Sequence, residues 1–401
     1  MKKTYLFLIT VLTFFLVNCS SDKKTKGSLP FIDVSKNYTE KEIILTDIAD
    51  VAYVHLSTDN DDYLYKGTIR YVTKNTIVVT DNSLGNILFF SKEGNPKSHF
   101  NHLGLGPQEY GRFPFVFYNE ATDEVYISNR SVNHIQVYSS KGEYKRKLTL
   151  PQGVYTQLIA FVDDETLLVC DENKNMQKLR SKATNNLSGE EPDFITNDSS
   201  LFLISKTDGK VLDYVNLPNN NKIALLYKPS EEGMFVPFAT ITYITKCQEG
   251  FLLCHPETDT VFLYRKDKPL TPVIHKTPLI HELEPMIFLD NCMDAGRYQF
   301  MRTETLNIYT GSKLQHNYYV RDKKTGEVFR QKIILPDYKG KEFFISPQDK
   351  YFNEKEYFFE LDLMELKQAN SDNKLSGKLK ELVSALNEEE DNNIFMFVNF
   401  K

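Results

Sequence analysis

The sequence predicts an all-β protein, because one unit of short strands and glycine turns recurs along the chain. In each copy an apolar strand is followed by a second strand, a turn and a third strand. The turn glycines of the first two copies, Gly94 and Gly142, lie 48 residues apart. A repeat of roughly 40–50 residues with about four strands is typical of a β-propeller blade. The length of 401 residues, without a Pro-, Gly- or Ser-rich linker, also favours a ring of repeats over one compact core.

Five copies of this unit can be recognised, and the two ends of the chain supply a sixth. The copies span residues 76–94, 124–142, 166–209, 250–267 and 318–326. We expect residues 42–56 to close the ring as the outermost strand of the last blade, beside residues 393–400. The polar stretch 173–198 is predicted to be an insertion, and leucines at helical spacing predict helices within 361–387. The predicted fold class is therefore an all-β, six-bladed β-propeller with a short helical elaboration near the C-terminus.

The first nineteen residues have the pattern of a secretory leader. Met1-Lys2-Lys3 is basic, Thr4 to Val17 is almost wholly apolar, and Cys19 stands where cleavage is expected. The apolar run is too short to span a bilayer stably. A cysteine at this point resembles the lipobox of bacterial lipoproteins, whose several acyl chains anchor a protein stably. We predict a signal peptide at 1–18, a lipidated tether at 19–41 with Cys19 as the lipidation site, and a propeller at 42–401.

The charge of the chain argues against nucleic acid as a partner. The sequence has 48 basic and 54 acidic side chains, and loss of Lys2 and Lys3 with the leader changes the net charge from −6 to −8 (46 − 54). Nucleic-acid binding needs a basic surface that releases counterions. The 28 Phe and 23 Tyr residues favour strands, and stacking surfaces for sugars are the alternative interpretation.

The cysteines and histidines form neither a disulfide framework nor a recognisable metal site. The four cysteines after Cys19 are irregularly spaced, and we expect all of them to be buried free thiols. His99 and His102 are three residues apart in a predicted loop, where no helix places them on one face as metal ligands. We predict no metal and no cofactor. The four cysteines are Cys170, Cys247, Cys254 and Cys292.

The blade pattern, the lipobox and one seven-residue motif together resemble a known family. The motif is Gly104-Leu105-Gly106-Pro107-Gln108-Glu109-Tyr110, and it is similar to the Gly-x-Gly-Pro-x-Glu-Tyr signature of the six-bladed β-propeller lipoproteins of Bacteroidota. The resemblance covers the whole chain, although the insertion at 173–198 and the Asn393-Ile394 pair depart from it. It implies a fold and a compartment, namely a lipid anchor in the outer membrane. The residues that follow Cys19 favour the periplasmic face over the cell surface.

The signature falls in the connection between blades 1 and 2, and this connection is predicted to lie on the face where the central channel opens. A rigid Gly-Pro turn there presents Glu109, Tyr110 and Arg112, with His102 nearby, as a candidate binding site. The alternative interpretation is that Glu109 and Tyr110 hold one blade to the next by hydrogen bonds. Both interpretations are open at the level of the sequence.

The sequence favours a binding protein over an enzyme. We predict a non-catalytic ligand-binding or protein-interaction module of the cell envelope, whose partners are the membrane, through its lipid, and a glycan, a peptide or an envelope protein. The alternative is a polysaccharide lyase or glycoside hydrolase that acts at the channel mouth, since paired carboxylates can assemble from distant blades. A fold alone does not decide between these functions.

Overall fold

The computed structural model describes most of the chain between Leu29 and Lys401. The described residues are 29–58, 61–81, 84–129, 132–152, 154–156, 158–171, 193–195, 200–218, 225–230, 233–235, 243–255, 258–306, 315–346, 355–387 and 391–401. The predicted leader, Cys19 and all of the predicted insertion except 193–195 lie outside the described residues. The predictions for those segments therefore remain predictions.

The first described segment contributes edge strands to three different sheets. It contains β1 (Phe31–Asp33), β2 (Glu40–Ile44) and β3 (Ala49–His55), with the short helix α1 (Leu45–Ile48) between β2 and β3.

Blades 1 and 2 are four-stranded antiparallel sheets in which each strand pairs with the next. The tight turn before the last strand of blade 1 requires Gly94, because its φ is 92° and a Cβ there would lie 2.0 Å from the carbonyl oxygen of His55. Blade 1 follows a 3₁₀ turn at Asp61–Tyr63 and consists of β4 (Gly67–Val72), β5 (Thr76–Asp81), β6 (Ile87–Ser91) and β7 (Pro96–Phe100). Blade 2 consists of β8 (Phe115–Asn119), β9 (Glu124–Ser128), β10 (His134–Tyr138) and β11 (Tyr144–Thr149).

Blade 3 is also four-stranded. A separate small sheet consists of one strand that falls within blade 3 in the sequence and two strands that follow the blade. The blade contains β12 (Ile159–Phe161) and β13 (Thr166–Asp171), and then, after β14 (Asp193–Ile195), β15 (Ser200–Ser205) and β16 (Val211–Val215). The small sheet has the order β14, β17 (Leu225–Ser230), β18 (Gly233–Phe235).

Blades 4 and 5 each carry an additional parallel strand from the N-terminal segment. Blade 4 contains β19 (Tyr243–Cys247), β20 (Gly250–Cys254), β21 (Thr260–Tyr264) and β22 (Thr271–Thr277), and β1 pairs in parallel with β22. A 3₁₀ turn at Ile280–Glu282 leads into blade 5, which contains β23 (Met286–Ala295), β24 (Tyr298–Leu306), β25 (Gln315–Asp322) and β26 (Val328–Ile334). β2 pairs in parallel with β26, and β27 (Glu342–Phe343) pairs with the same strand.

A three-stranded sheet, called here the closing sheet, joins the two ends of the chain. It has the order β28 (Glu356–Leu361), β29 (Ile394–Phe400), β3, and both pairings are antiparallel. The helices α2 (Leu363–Ser371) and α3 (Gly377–Ala385) lie between β28 and β29 in the chain. Asp362 caps α2, because its side chain accepts a hydrogen bond from the amide of Glu365 at 2.8 Å.

Buried apolar clusters connect the five blades and the closing sheet, each to the next, in a ring. Blade 1 packs on blade 2 through residues such as Phe89 and Val116, and corresponding clusters join blades 2 and 3, 3 and 4, and 4 and 5. Phe300 of blade 5 and Met396 of the closing sheet share one cluster with α2 and α3. Phe397 of the closing sheet packs with blade 1 in the last cluster. The core is therefore a series of interfaces between neighbouring sheets. This is expected because a sheet with two apolar faces must bury each face against another element.

The structure confirms the all-β propeller and corrects the number of blades. Among the described residues, five sheets have four or more strands, and the predicted sixth blade is a sheet of only three strands. The predicted closing strand 42–56 is two strands: β3 pairs with β29 as expected, but β2 pairs with blade 5. The predicted tether also ends too late, because β1 and the start of β2 already belong to sheets. These pairings join residues that are far apart in the chain, so the repeat pattern does not reveal them.

Two further predictions agree with the structure, namely the C-terminal helices and the state of the cysteines. The two C-terminal helices lie within the predicted span 361–387. The four cysteines after Cys19 are buried free thiols, as expected.

Candidate functional site

The signature motif lies in the connection between β7 of blade 1 and β8 of blade 2, as predicted. This connection, residues 101–114, is called here the signature loop. It folds back on itself, because Leu103 and Tyr110 form an isolated parallel bridge. The amide of Tyr110 donates to the carbonyl oxygen of His102 at 3.0 Å, and the amide of Gly104 donates to the carbonyl oxygen of Tyr110 at 3.1 Å. The backbone donors at the base of the loop are therefore occupied within the loop.

The Gly-x-Gly-Pro-x-Glu part of the motif builds a closed turn around one carboxylate. The amide of Gly106 donates to Oε2 of Glu109 at 2.7 Å, and the amide of Glu109 donates to the carbonyl oxygen of Gly106 at 3.1 Å. A Cβ on Gly104 would lie 1.9 Å from Oε2 of Glu109. Pro107 presets the φ angle that the second position of such a turn needs. The motif thus specifies a loop conformation.

Tyr110 fastens the signature loop to blade 1. Its side chain is buried, and its hydroxyl donates to the carbonyl oxygen of Gly85 at 2.8 Å while it accepts from the amide of His102 at 3.1 Å. Burial raises the pKa of Tyr110 to about 12, so the hydroxyl keeps its proton at neutral pH. Gly85 belongs to the turn between β5 and β6, so this bond connects the loop to the preceding blade.

His102 fastens the same loop to blade 2. Its Nε2 lies 2.8 Å from the carbonyl oxygen of Gly142, which makes Nε2 the protonated nitrogen. The imidazole stacks on the ring of Tyr138 with centroids 5.5 Å apart. The Tyr138 hydroxyl in turn lies 2.8 Å from the carbonyl oxygen of Gln108. The polar atoms of Tyr110 and His102 are therefore used to join blades, whereas Glu109 bonds within the loop.

A cavity of about 580 Å³ lies between the signature loop and the end of blade 2. We call it the blade-2 cavity. The loop contributes residues 104–107 and 109–113, and blade 2 contributes 127–129, 132, 134, 136 and 147. All of these residues come from one blade and its entry loop. Glu109, Tyr110 and Arg112 line this cavity, and His102 does not.

The blade-2 cavity carries more positive than negative side chains. Arg112 on the loop and Lys147 on β11 are both exposed, and Glu109 is the one carboxylate among the lining residues. Burial, and to a smaller extent the charge of Lys147, lowers the pKa of His134 below its usual 6.5, so this imidazole is neutral at pH 7. The local charge is therefore opposite in sign to the net charge of the chain, which is −6.

The floor of the cavity contains polar residues that the sequence reasoning missed. The side-chain amide of Asn129 donates to the carbonyl oxygen of Arg112 at 2.7 Å, and the side-chain amide of Gln136 donates to the carbonyl oxygen of Pro107 at 3.3 Å. Ser128 is 2% exposed, and among the described residues its hydroxyl has no hydrogen-bond partner. In the sequence, this region is marked only as the connection between the first and second strands of the second repeat.

The rim of the cavity includes a strained aromatic residue. Phe113 has a φ of 57°, a left-handed conformation that costs a residue with a Cβ about 1–2 kcal/mol. Its side chain is 63% exposed, and Leu105 on the other part of the loop is fully exposed. Backbone strain of this kind is concentrated at functional sites, where the surrounding structure maintains it.

The part of the chain that the structure describes shows neither a metal-ion cluster nor a membrane-spanning helix. Within those residues, no group of three or more His, Cys, Asp or Glu side chains is arranged to hold a metal ion. None of the described helices is long and apolar enough to span a membrane.

Residues 29–399 match the model of the family DUF4934, a domain of unknown function, and the chain belongs to this family. A comparison with curated proteins finds no significant match. Among solved structures, the chain resembles a Bacteroides fragilis protein that is thought to be exported, with a TM-score of 0.58 and 16% identity over 90% of this chain and 99% of that one. It also resembles a DUF4221 family member from Bacteroides vulgatus, with a TM-score of 0.46 and 12% identity over 88% and 97% of the two chains. The family and the Bacteroides fragilis structure agree with the predicted propeller family of Bacteroidota.

Proposed function

We propose that this DUF4934 propeller is an exported, lipid-anchored protein of the cell envelope that binds a ligand in the blade-2 cavity without converting it chemically. The observation that carries this proposal is the cavity itself. The signature loop forms one wall of the cavity. Hydrogen bonds made by Tyr110 and His102 hold this loop between blades 1 and 2. A site that is held in place before the ligand arrives loses less entropy on binding.

Export and anchoring are supported by the chain itself and by one relative. The leader pattern ends at Cys19, and the first strand, β1, begins only twelve residues later at Phe31. β1 lies on the edge of blade 4, so a tether from Cys19 joins the ring two blades away from blade 2. The blade-2 cavity then stays free when the protein is held at a membrane. The Bacteroides fragilis protein of similar fold is thought to be exported.

The lining of the cavity favours binding over glycoside cleavage. Glycosidases use a pair of carboxylic acids about 5–10 Å apart on either side of the scissile bond. Glu109 is the single carboxylate among the described residues that line the blade-2 cavity, and it already accepts a hydrogen bond from the amide of Gly106. Among the residues that line this cavity, no second acid is present to complete a pair.

We also propose that residues 104–110 are the sequence motif that this chain shares with the six-bladed propeller lipoproteins of Bacteroidota.

The anchor is tested by fractionation of cells that produce the full chain. We expect the wild type in the outer-membrane fraction, labelled by a palmitate analogue, and the Cys19→Ser variant unlabelled and no longer there. Cys170→Ser is the matched control, because Cys170 is a buried thiol of blade 3. Protease treatment of intact cells then reports the membrane face, and release of the propeller would contradict the periplasmic assignment. A labelled Cys19→Ser variant would contradict the lipid anchor.

Binding is tested with an array that carries oligosaccharides and short peptides. We expect the Val132→Trp variant, whose indole occupies the cavity, to lose the binding that the wild type shows. Leu212→Trp is the control, because Leu212 is an exposed residue of β16 in blade 3. Bound ligand that is recovered unchanged supports a binding protein, and shortened ligand supports the lyase or hydrolase. Equal binding by the wild type and Val132→Trp would contradict the assignment of the site.

A further inference from the structure

We infer that the blade-2 cavity recognises an acidic sugar, that is, a sugar of one or two rings that carries a carboxylate. This inference rests on the proposed function and names the class of its ligand. A volume of about 580 Å³ is within the range of roughly 300–1,000 Å³ that is usual for small-molecule sites.

The charges of the cavity select a negative ligand. Arg112 approaches from the loop and Lys147 from β11, so two cations flank the space from two different elements. Within the described lining, the only opposing charge is on Glu109, whose carboxylate accepts a hydrogen bond from the amide of Gly106. Two exposed cations in a concave surface raise the local concentration of anions, and a guanidinium also matches a carboxylate in shape. A carboxylate group is therefore favoured over an uncharged or cationic one.

The uncharged groups of the cavity suit the remainder of a sugar. The ring of Phe113 is exposed at the rim and offers a flat apolar surface to the C–H face of a sugar ring. The neutral imidazole of His134 lies in the lining, where it can hydrogen-bond a sugar hydroxyl. Ser128 also lines the cavity, and its hydroxyl has no hydrogen-bond partner within the described part of the chain. A buried hydroxyl without a partner is unfavourable until a ligand or water reaches it.

The same geometry disfavours a peptide as the ligand. Peptides are commonly recognised through free backbone groups, either at a sheet edge or in a row of loop amides. In the signature loop, the amides of Gly104, Gly106 and Glu109 all donate within the loop. The strands whose ends form the floor, β9 and β10, have neighbours on both sides within blade 2. A peptide would therefore find few main-chain partners here.

Calorimetric titration of the detergent-solubilised full chain tests this inference. The probes are galacturonate and digalacturonate, the corresponding neutral galactose sugars, and an acidic dipeptide. We expect the uronates to bind at least about tenfold more tightly than the neutral sugars or the dipeptide, with an affinity that falls as salt rises. Equal affinity for acidic and neutral sugars, preference for the dipeptide, or no binding of any uronate would overturn the inference.

Variants of the two cations locate the site. We expect Arg112→Ala and Lys147→Ala each to weaken uronate binding by about tenfold, and Lys147→Arg to retain it. Lys141→Ala is the control, because Lys141 is exposed in the turn before β11 and does not line the cavity. Thermal unfolding of each variant shows whether it is folded. If uronates bind but neither cation matters, the inference is wrong. If Val132→Trp changes the binding of no ligand, the proposed binding site itself is wrong.

Discussion

The backbone amide of Gly106 donates to Oε2 of Glu109, three residues later in the chain, at 2.7 Å. This bond closes the turn that forms one wall of the blade-2 cavity. Gly104 leaves the space that the carboxylate occupies. The three residues of the motif therefore act as one unit. The motif therefore has a structural role, because it fixes the shape of the cavity.

The coupling between Gly104 and Glu109 can be measured by a double-mutant cycle. Gly104→Ala places a Cβ where the Glu109 carboxylate lies, and the flexible side chain can move away only by breaking its bond to Gly106. We expect Gly104→Ala to lower the free energy of unfolding by about 1 kcal/mol, and by close to zero in a Glu109→Ala background. Urea unfolding checks both values, with Leu105→Ala as an exposed control. Strictly additive losses would show that the two residues do not interact.

Removal of one hydroxyl should loosen the signature loop from blade 1. Tyr110→Phe leaves the buried carbonyl oxygen of Gly85 and the amide of His102 without this partner. We expect a loss of about 1–3 kcal/mol in the free energy of unfolding, because buried polar groups that lose a partner remain desolvated. Tyr214→Phe on the exposed face of β16 is the control and should be neutral within about 0.5 kcal/mol. Equal stability of Tyr110→Phe and the wild type would contradict the role of this hydroxyl.

A buried histidine should make the protein sensitive to mild acid. His255 follows β20 with no exposed surface, and burial lowers its pKa to about 3. It is neutral in the folded state but takes up a proton near pH 6.5 when unfolded, so its contribution is present above pH 6.5 and is lost as pH falls from 6.5 towards 3. Between pH 7 and pH 5 we expect this residue to remove about 2 kcal/mol from the free energy of unfolding.

Urea unfolding of the wild type and of His255→Gln at the two pH values checks this. His134 also has a lowered pKa and contributes to the same range, so the comparison is between the slopes of the two proteins. His99→Gln is the control, because His99 is exposed on β7. A slope that is unchanged by His255→Gln would refute the prediction.

A second, more acidic range should depend on an ion pair of blade 2. Burial disfavours the charge of Glu124, but hydrogen bonds from Arg146 and Tyr126, together with the charge of Arg146, outweigh burial and lower the pKa of Glu124 to about 2. The two side chains meet at 2.5 and 3.1 Å, and Nε of Arg146 also donates to the carbonyl oxygen of Lys206 in blade 3. The stability from this pair is present above pH 4.5 and is lost as pH falls from 4.5 to 2.

Replacement of the cation should reduce that acid dependence. We expect Arg146→Met to be less stable at pH 7 by about 2–4 kcal/mol, and to lose less stability than the wild type between pH 4.5 and 2.5. Lys141→Met is a control at an exposed cation of the same blade. Chemical unfolding at a series of pH values checks the result, and parallel acid profiles for Arg146→Met and the wild type would be inconsistent with it.

The affinity of the cavity for a uronate should rise as pH falls. The groups that line the cavity with His134 are Glu109, Arg112 and Lys147, and Lys147 contributes to the low pKa of His134. A bound carboxylate raises that pKa, so binding takes up a proton. We expect tighter binding at pH 5 than at pH 7. The ligand carboxylate is still ionised at pH 5, because its pKa is about 3–4. Calorimetry in two buffers of different ionisation enthalpy measures the proton uptake, and His134→Gln should abolish it. Uptake that persists in His134→Gln would assign the proton to another group.

The sequence by itself determined the class of fold and the outline of the site. Local patterns were sufficient: alternating apolar strands, turn glycines such as Gly94, and leucine spacing predicted blades and the helices α2 and α3. The Gly104–Tyr110 motif predicted a rigid turn between two blades, since its glycines and proline act within a few residues.

Only the tertiary structure decided what lies far apart in the chain. β1 and β2 pair with blades 4 and 5, and the sheet that β3 closes has three strands, because strand pairing depends on which edges meet in space. The blade-2 cavity likewise depends on residues that only the tertiary structure brings together. It brings Arg112 from the loop to Lys147 from β11 and Ser128 from β9, and no spacing in the sequence marks these residues as neighbours.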